Sequence, residues 1–380
     1  MFSTFAPEML ILGLSLLLAP YLRWGFTTLV GERWQFFATI PTHKDDDGRW
    51  HGVNLTFYGL LSANAYVVAL AIFILLCGSA GVSAPISLLT LALMLLVCVP
   101  ASRYVAWLVE RKWHSFTVGG AFFAGVVAAP AVIAIVNGAI GFGNMSAATP
   151  VPVLPTLAAM AIAYAYGEGL GRLSCISFGC CYGKPVDQAP DWVARHFQRW
   201  NFTFFGNTRK VAYAGGLQGV KLIPIQAITA LTYTLIGLLS TWLYLRGMIT
   251  AALFTALIVT QIWRFASEML RADYRGDGRI SAYQIMALVA IALTGIYALM
   301  AQESSTTFRV IDGLSALWNP AVILSLLAVW VLIFTYMGRS TITEATLQVR
   351  VRTDQVRMPA TMAAPTPRPV NEVGSPSKPS

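Results

Sequence analysis

The residues best equipped for chemistry gather between positions 167 and 185, GEGLGRLSCISFGCCYGKP. Arg172 stands there at the end of a long apolar run, where hydrocarbon gives way to water. An ionisable side chain is costly at that depth, so one retained there marks a functional site by default. Its guanidinium is a rigid fork of donors that suits phosphate and stays charged when partly buried. Gly167, Gly169 and Gly171 let backbone approach a bulky headgroup. An arginine that simply snorkels to the interface would occupy the same position. Three cysteines follow, Cys175, Cys180 and Cys181, in a C-x4-C-C spacing that matches no zinc pattern. No metal and no cofactor is expected. Close packing in an active-site loop is the leading reading of the thiols, with a redox pair, a metal site or a nucleophile as alternatives.

A second group closes another apolar run: Arg264, Glu268, Arg271 and Arg275. The first three recur at helical spacing on one face. Glu268 could hold both Arg264 and Arg271 by charge-assisted bonds, and a purely structural ion pair is the plainer alternative. His114 lies just before Gly119 and Gly120. It could serve as a general base, although a lone histidine beside Trp113 also suits an interface. The glycine pair allows close helix packing or ligand approach. Gln226, in Pro224-Ile225-Gln226, would need buried partners and so could orient a ligand or a neighbouring backbone. Tyr58 and Gly59 open one further run.

These groups need a scaffold, and composition says what kind. The chain has 380 residues, is 56% hydrophobic and only 11% charged, against about 25% charged in soluble domains. Nine stretches approach the roughly 20 apolar residues needed to cross a bilayer: 8–22, 57–77, 84–108, 117–141, 150–168, 222–245, 248–267, 280–300 and 317–337. The expected fold is an all-α, polytopic helical bundle of eight or nine transmembrane helices. The first stretch is the shortest and could lie flat instead. Tyr21, Trp24, Trp107, Trp113 and Tyr244 suit interfacial belts. Small residues such as Gly119, Gly120, Ala124 and Gly125 allow helices to approach closely. Counting spans places every candidate group on one membrane face, and two arginine clusters there suit a phosphodiester headgroup. A channel or transporter should show polar residues deep within several spans, and these gather at one end.

The net charge of +9 is spread over short loops, which points to anionic membrane lipids rather than nucleic acid. Five cysteines do not make a disulfide scaffold, and Cys77 and Cys98 read as core residues. The start of the chain lacks a basic region before its apolar run, so a cleaved signal peptide is not expected. Residues 1–56 read as an apolar segment and a surface arm containing HKDDDGRWHG. The insertion 169–221 mixes Trp192, Phe197, Trp200, Phe202, Phe204 and Phe205 with Arg195, Arg199, Arg209 and Lys210. It reads as an amphipathic element in the headgroup layer, with a loop packed on the bundle as the alternative. Residues 301–338 hold an additional helix, and the proline-rich 339–380 a disordered tail.

The central stretch resembles the signature of prolipoprotein diacylglyceryl transferases, and most of all a subgroup with a Cys-Cys pair. FYGLL (57–61), SFTVGGAFFAG (115–125), PIQ (224–226), RFASEMLRADYRG (264–276) and SAYQIMALVAI (281–291) are similar to further family segments in the family's order. The resemblance covers 57–300. It implies transfer of the diacylglyceryl group of phosphatidylglycerol to the lipobox cysteine of preprolipoproteins at the bacterial inner membrane. Arg172 would bind the lipid phosphate, and Arg271 matches the second essential arginine. The expected catalytic groups are therefore Arg271, Arg172 and His114. Tyr58, Gly119, Gly120, Gln226, Arg264, Glu268, Arg275, Cys175, Cys180 and Tyr182 are expected around the substrates. The family histidine before Gly-Gly is Val118 here, its asparagine is Cys175, its glutamate is Cys180, and its Tyr-Glu pair is Ile228-Thr229. A different acceptor or a non-catalytic lipid-binding role stays open. Lys and Arg concentrate in alternate loops, with seven in 169–221 and none in 78–83. Charge alone puts the Arg172 loop in the cytoplasm, whereas the resemblance implies the opposite face.

Overall fold

A computed structural model describes residues 6–31, 35–36, 40–48, 50–111, 117–142, 150–272, 280–300 and 307–340. In order these form α1 (Pro7–Thr28), β1 (Ile40–Lys44), β2 (Trp50–Leu55), α2 (Phe57–Ser79), α3 (Ala84–Glu110), α4 (Val118–Phe142) and α5 (Val153–Phe178). The large insertion contributes α6 (Asp191–Phe197), β3 (Phe202–Thr203), α7 (Lys210–Tyr213) and β4 (Lys221–Leu222). The chain continues through α8 (Ile225–Leu245), α9 (Ile249–Met269), α10 (Ala282–Met300), α11 (Val310–Leu317), α12 (Pro320–Met337) and β5 (Arg339–Ser340). Among the described residues nine helices are long and apolar enough to cross a membrane: α1 to α5, α8 to α10, and α12. They coincide with the nine apolar stretches of the sequence. The protein is an all-α, multi-pass membrane protein. Helices are what such runs must form, because hydrocarbon offers no water to satisfy open backbone groups. The shortest expected span, 8–22, belongs to the 22-residue α1.

The bundle is built around α5, the most buried of the spans, which packs against α2, α8 and α9. Missing side chains make the contacts possible. A methyl group at Gly167 would come within 3.1 Å of Ala69 on α2. One at Gly169 would come within 3.0 Å of Tyr233 on α8. Gly237 on α8 in turn admits the ring of Tyr166. With the backbones this close, polar pairs complete the seams: Ser62 to Ser174 at 3.1 Å, Tyr233 to the Thr260 carbonyl at 2.8 Å, and Tyr244 to the Leu76 carbonyl at 3.1 Å. Small residues and interhelical hydrogen bonds are the available glue where the solvent is as apolar as the side chains.

The two outer helices are tied to α2 through Asn64. Trp330 on α12 donates to its side-chain oxygen at 2.8 Å, and its amide donates to Tyr21 on α1 at 3.3 Å. The arm around HKDDDGRWHG is a β-hairpin, with β1 and β2 antiparallel and β5 added beside β2. Arg339–Ser340, expected to begin a disordered tail, are thus a strand, and 341–380 lie outside the described residues. Gly59 lets the end of α12 sit directly on α2, since a side chain there would strike the backbone of Gly338. Gly59→Val is expected to unseat that end and cost about 1–3 kcal/mol. The readout is a lower midpoint of thermal unfolding in detergent, against Gly13→Val as control, where nothing lies within 4 Å.

Candidate active site

Helix α5 ends at Gly179, whose φ of 67° is left-handed. Gly179 donates to the Ile176 carbonyl at 3.2 Å, and Cys180 donates to the Cys175 carbonyl at 3.0 Å. This is a Schellman motif, in which glycine reverses the chain and satisfies the last open carbonyls. It also folds the following residue back onto the final turn. Cys181 then adopts φ 56°, unusual for a side chain other than glycine. The consequence is that the sulfurs of Cys175, Cys180 and Cys181 all lie within 4.8 Å of one another. None forms a disulfide.

The loop beyond is strapped to the end of α9. Lys184 donates to the Leu270 carbonyl at 3.0 Å, and Ala272 donates to the Tyr182 carbonyl at 3.1 Å. Gly183 and Arg271 form a β-bridge between them. Gly183 is required there, because a side chain would run into the Ile223 carbonyl. Gln226 donates to the Cys180 carbonyl at 2.9 Å. The backbone therefore sets the thiols beside Arg271 before any side-chain preference acts.

Five charged side chains meet at the ends of α5 and α9. Arg172 pairs with Glu168 one turn earlier. Arg264 lies 4.0 Å from the same carboxylate, 3.3 Å from the Tyr164 hydroxyl and over the ring of Tyr283. Arg271 pairs with Glu268 at 3.4 Å. Among the described residues Glu268 comes within salt-bridge distance of Arg271 and not of Arg264, although its spacing allowed both. Glu168 is the shared anion, because α5 and α9 pack side by side and bring Arg264 to it. Arg172 is only 14% exposed, and Arg271 5%. Neither snorkels. Hydrogen bonds from the Cys175 and Cys180 thiols, and then the charges of Arg271 and Arg172, hold the Cys181 thiol well below the usual cysteine range against the opposing effect of burial. Hydrogen bonds with Cys175 and Cys181, reinforced by burial, push the Cys180 thiol up.

A cavity of about 520 Å³ opens over this group. Tyr58, Glu168, Arg172, Arg264, Arg271 and the three thiols line its polar end. Leu70, Phe73, Leu91, Met94 and Leu157 line its depth. From Tyr58 to Phe73 along α2 the lining runs about 22 Å at 1.5 Å per residue. The arrangement offers cationic donors at one end and a long apolar trough behind them.

The expected residues divide into four sets. Tyr58, Gly119, Arg172, Cys175, Cys180, Arg264 and Arg271 come together at the cavity. Gly119 makes room for Arg264, whose guanidinium a side chain there would strike. Gln226 and Glu268 stand behind the lining, positioning Cys180 and Arg271. Gly120 faces Val105 on α3, and buried Tyr182 packs beneath the loop against Gly215. His114 and Arg275 lie outside the described residues. The sequence reading passed over Glu168, although a carboxylate four residues before Arg172 in an apolar run was a visible signal. It also placed Arg209 in the headgroup layer. Arg209 is fully buried and donates to the Ile176 carbonyl at 3.3 Å and the Leu29 carbonyl at 3.0 Å. Phe202 and Phe204 are buried with it, while Trp192 and Trp200 face outward. The insertion is thus a loop packed on the bundle with an aromatic outer edge.

A family model described as prolipoprotein diacylglyceryl transferase matches residues 49–301. A search of curated proteins finds no match.

Proposed function

The chain belongs to the prolipoprotein diacylglyceryl transferase family, and from that premise we propose that it moves the diacylglyceryl group of phosphatidylglycerol to the lipobox cysteine of preprolipoproteins at the bacterial inner membrane. That it is a membrane transferase of lipoprotein biosynthesis follows from the family. The donor is supported by one observation above others. Arg172, Arg264 and Arg271 line the polar end of a cavity whose depth is apolar, as a phospholipid with an anionic headgroup requires.

In the proposed reaction the acceptor sulfur attacks the glyceryl carbon that bears the phosphate ester. The S–C bond forms, the C–O bond breaks, and the electron pair stays on the departing glycerol phosphate. Negative charge grows on that phosphate, and fixed guanidinium donors offset it. Arg172 and Arg271 are assigned to this role, with Glu168 and Glu268 holding them in place. Tyr58 and Arg264 complete the headgroup end. Residues 57–300 are assigned as the catalytic bundle, with 1–56 and 301–338 as additions at either end. We assign the Arg172 loop to the non-cytoplasmic face, where exported acceptors emerge. Arginines that serve an anionic lipid account for its basic character.

Purified protein given phosphatidylglycerol and a lipobox peptide is expected to add diacylglyceryl to the peptide cysteine, read by mass spectrometry. Absence of product with several anionic donors would overturn the assigned reaction. A second reading, the same lipid chemistry on another acceptor, is favoured by Val118, which lines the cavity where the family resemblance has histidine. A deletion strain that loses a different lipid-modified product, with its lipoproteins intact, would select that reading.

A further inference from the structure

We propose that Cys175, Cys180 and Cys181 form a three-thiolate site for a tetrahedral zinc-class ion, whose fourth position takes the acceptor thiol. The role of the fourth position rests on the proposed reaction; the metal site itself does not.

The linear spacing hides the site, and the backbone builds it. The Schellman motif at Gly179 carries Cys180 back over Cys175, and the left-handed Cys181 turns the third sulfur toward the same point. Zinc–sulfur bonds of about 2.3 Å set tetrahedral sulfurs about 3.8 Å apart. Sulfurs within 4.8 Å of one another need close by no more than about 1 Å, less than a rotamer change supplies. The ligands are also held. Cys175 belongs to the last turn of α5, and Gln226 fixes the Cys180 carbonyl. A preformed cluster on rigid supports is what a metal site requires.

The surroundings fit the charge. Three thiolates and a divalent ion carry a net charge of −1, and a bound acceptor thiolate makes it −2. Arg172 and Arg271 line the same cavity as all three sulfurs. Those three sulfurs leave one tetrahedral position, and the cavity is where an incoming thiol would reach it.

The chemistry fits as well. Sulfur alkylation needs a thiolate, and a metal-bound thiol is deprotonated outright. Coordination would release the acceptor proton to solvent. The metal-bound sulfur then attacks the glyceryl carbon as the C–O bond breaks toward phosphate, and the neutral thioether leaves the ion. No oxidant or reductant enters. Val118 supplies no base where the family resemblance has histidine, and two of the three thiols occupy its asparagine and glutamate positions. A metal would make a base at those places unnecessary.

Full-length protein with a histidine-free tag, purified in detergent under reducing conditions, is titrated with Co2+. One equivalent is expected to bind with thiolate-to-cobalt charge-transfer absorption, and Zn2+ should displace it. Cys175→Ser, Cys180→Ser and Cys181→Ser should each abolish that absorption, whereas His43→Ala should retain it. Cys181→His, which keeps a ligand, should still bind one equivalent with weaker charge transfer, so loss of signal in the serine variants is not mistaken for misfolding. A lipobox peptide with a free thiol should intensify the charge transfer, and its alanine counterpart should not. No charge-transfer absorption in the wild type overturns the proposal. So does cobalt binding that survives all three serine substitutions but is lost on His51→Ala, which would assign it to the exposed His43–Asp45–His51 group. Chelator-treated, metal-free protein that lipidates the peptide at the full rate overturns the fourth-ligand role while supporting the transferase reading. An intact cobalt spectrum without any transfer would count against that reading alone.

Discussion

Arg271→Ala should reduce diacylglyceryl transfer by about 10²–10³-fold, the size of effect seen when a single preorganised donor to developing charge is removed. Arg271 is better fixed than any other donor at the site. Its backbone bridges Gly183, its neighbour Ala272 is bonded to the Tyr182 carbonyl, and Glu268 holds its side chain at 3.4 Å. A donor held in this way needs no reorganisation when the phosphate leaves. Arg271→Lys keeps the charge but not the planar fork, so it should recover only a small part of the lost rate. Rates are compared at saturating lipid and peptide, with lipid binding measured separately. If Arg271→Ala kept more than a tenth of wild-type activity, the arginine would not belong to the reaction. Arg172→Ala should weaken lipid binding as well as the rate, because Arg172 stands on the wall of the same cavity next to Gly171.

Much of this architecture is legible in the sequence, for a physical reason. A bilayer forces each long apolar run into a helix, so nine runs read as nine helices, α1 and α12 included. Arg172, Arg264 and Arg271 were legible as a set because counting spans brings them to one face. Which acid held which arginine was not. Helical spacing linked Glu268 to both Arg264 and Arg271, but the packing of α9 against α5 gives Arg264 to Glu168. Contacts between helices leave no periodicity to read. The cysteines show the same limit differently. C-x4-C-C looks dispersed until Gly179 is recognised as the left-handed residue that ends α5. Glycine at that position, with one cysteine four residues before it and another just after, is a local signal for a Schellman pair. Arg209 was misplaced because its partners, the Ile176 and Leu29 carbonyls, are backbone groups distant in sequence. Gln226 was legible as needing a partner, though not that the partner would be the Cys180 carbonyl.

Glu168→Gln should destabilise the protein as well as silence it. The carboxylate is 5% exposed and faces two guanidinium groups, Arg172 and Arg264, themselves 14% and 11% exposed. Removing one partner from a buried ion pair typically costs about 3–5 kcal/mol, because the remaining charge stays buried without compensation. Here two like charges would remain on facing helices. The substitution is nearly isosteric, so lost packing does not account for the effect. The expected result is a markedly lower thermal midpoint in detergent, together with loss of transfer. The double variant Glu168→Leu with Arg264→Met separates the two consequences. Replacing a buried charge pair by apolar side chains of similar volume is often neutral or stabilising, so the midpoint should recover in part, the Arg172 charge still lacking its carboxylate. Activity should not recover, because Arg172 would be left without the carboxylate that aims it and the headgroup end without Arg264. Recovery of both would make Glu168 a purely structural counterion. A midpoint unchanged in Glu168→Gln would mean that water or a lipid headgroup already screens the two arginines.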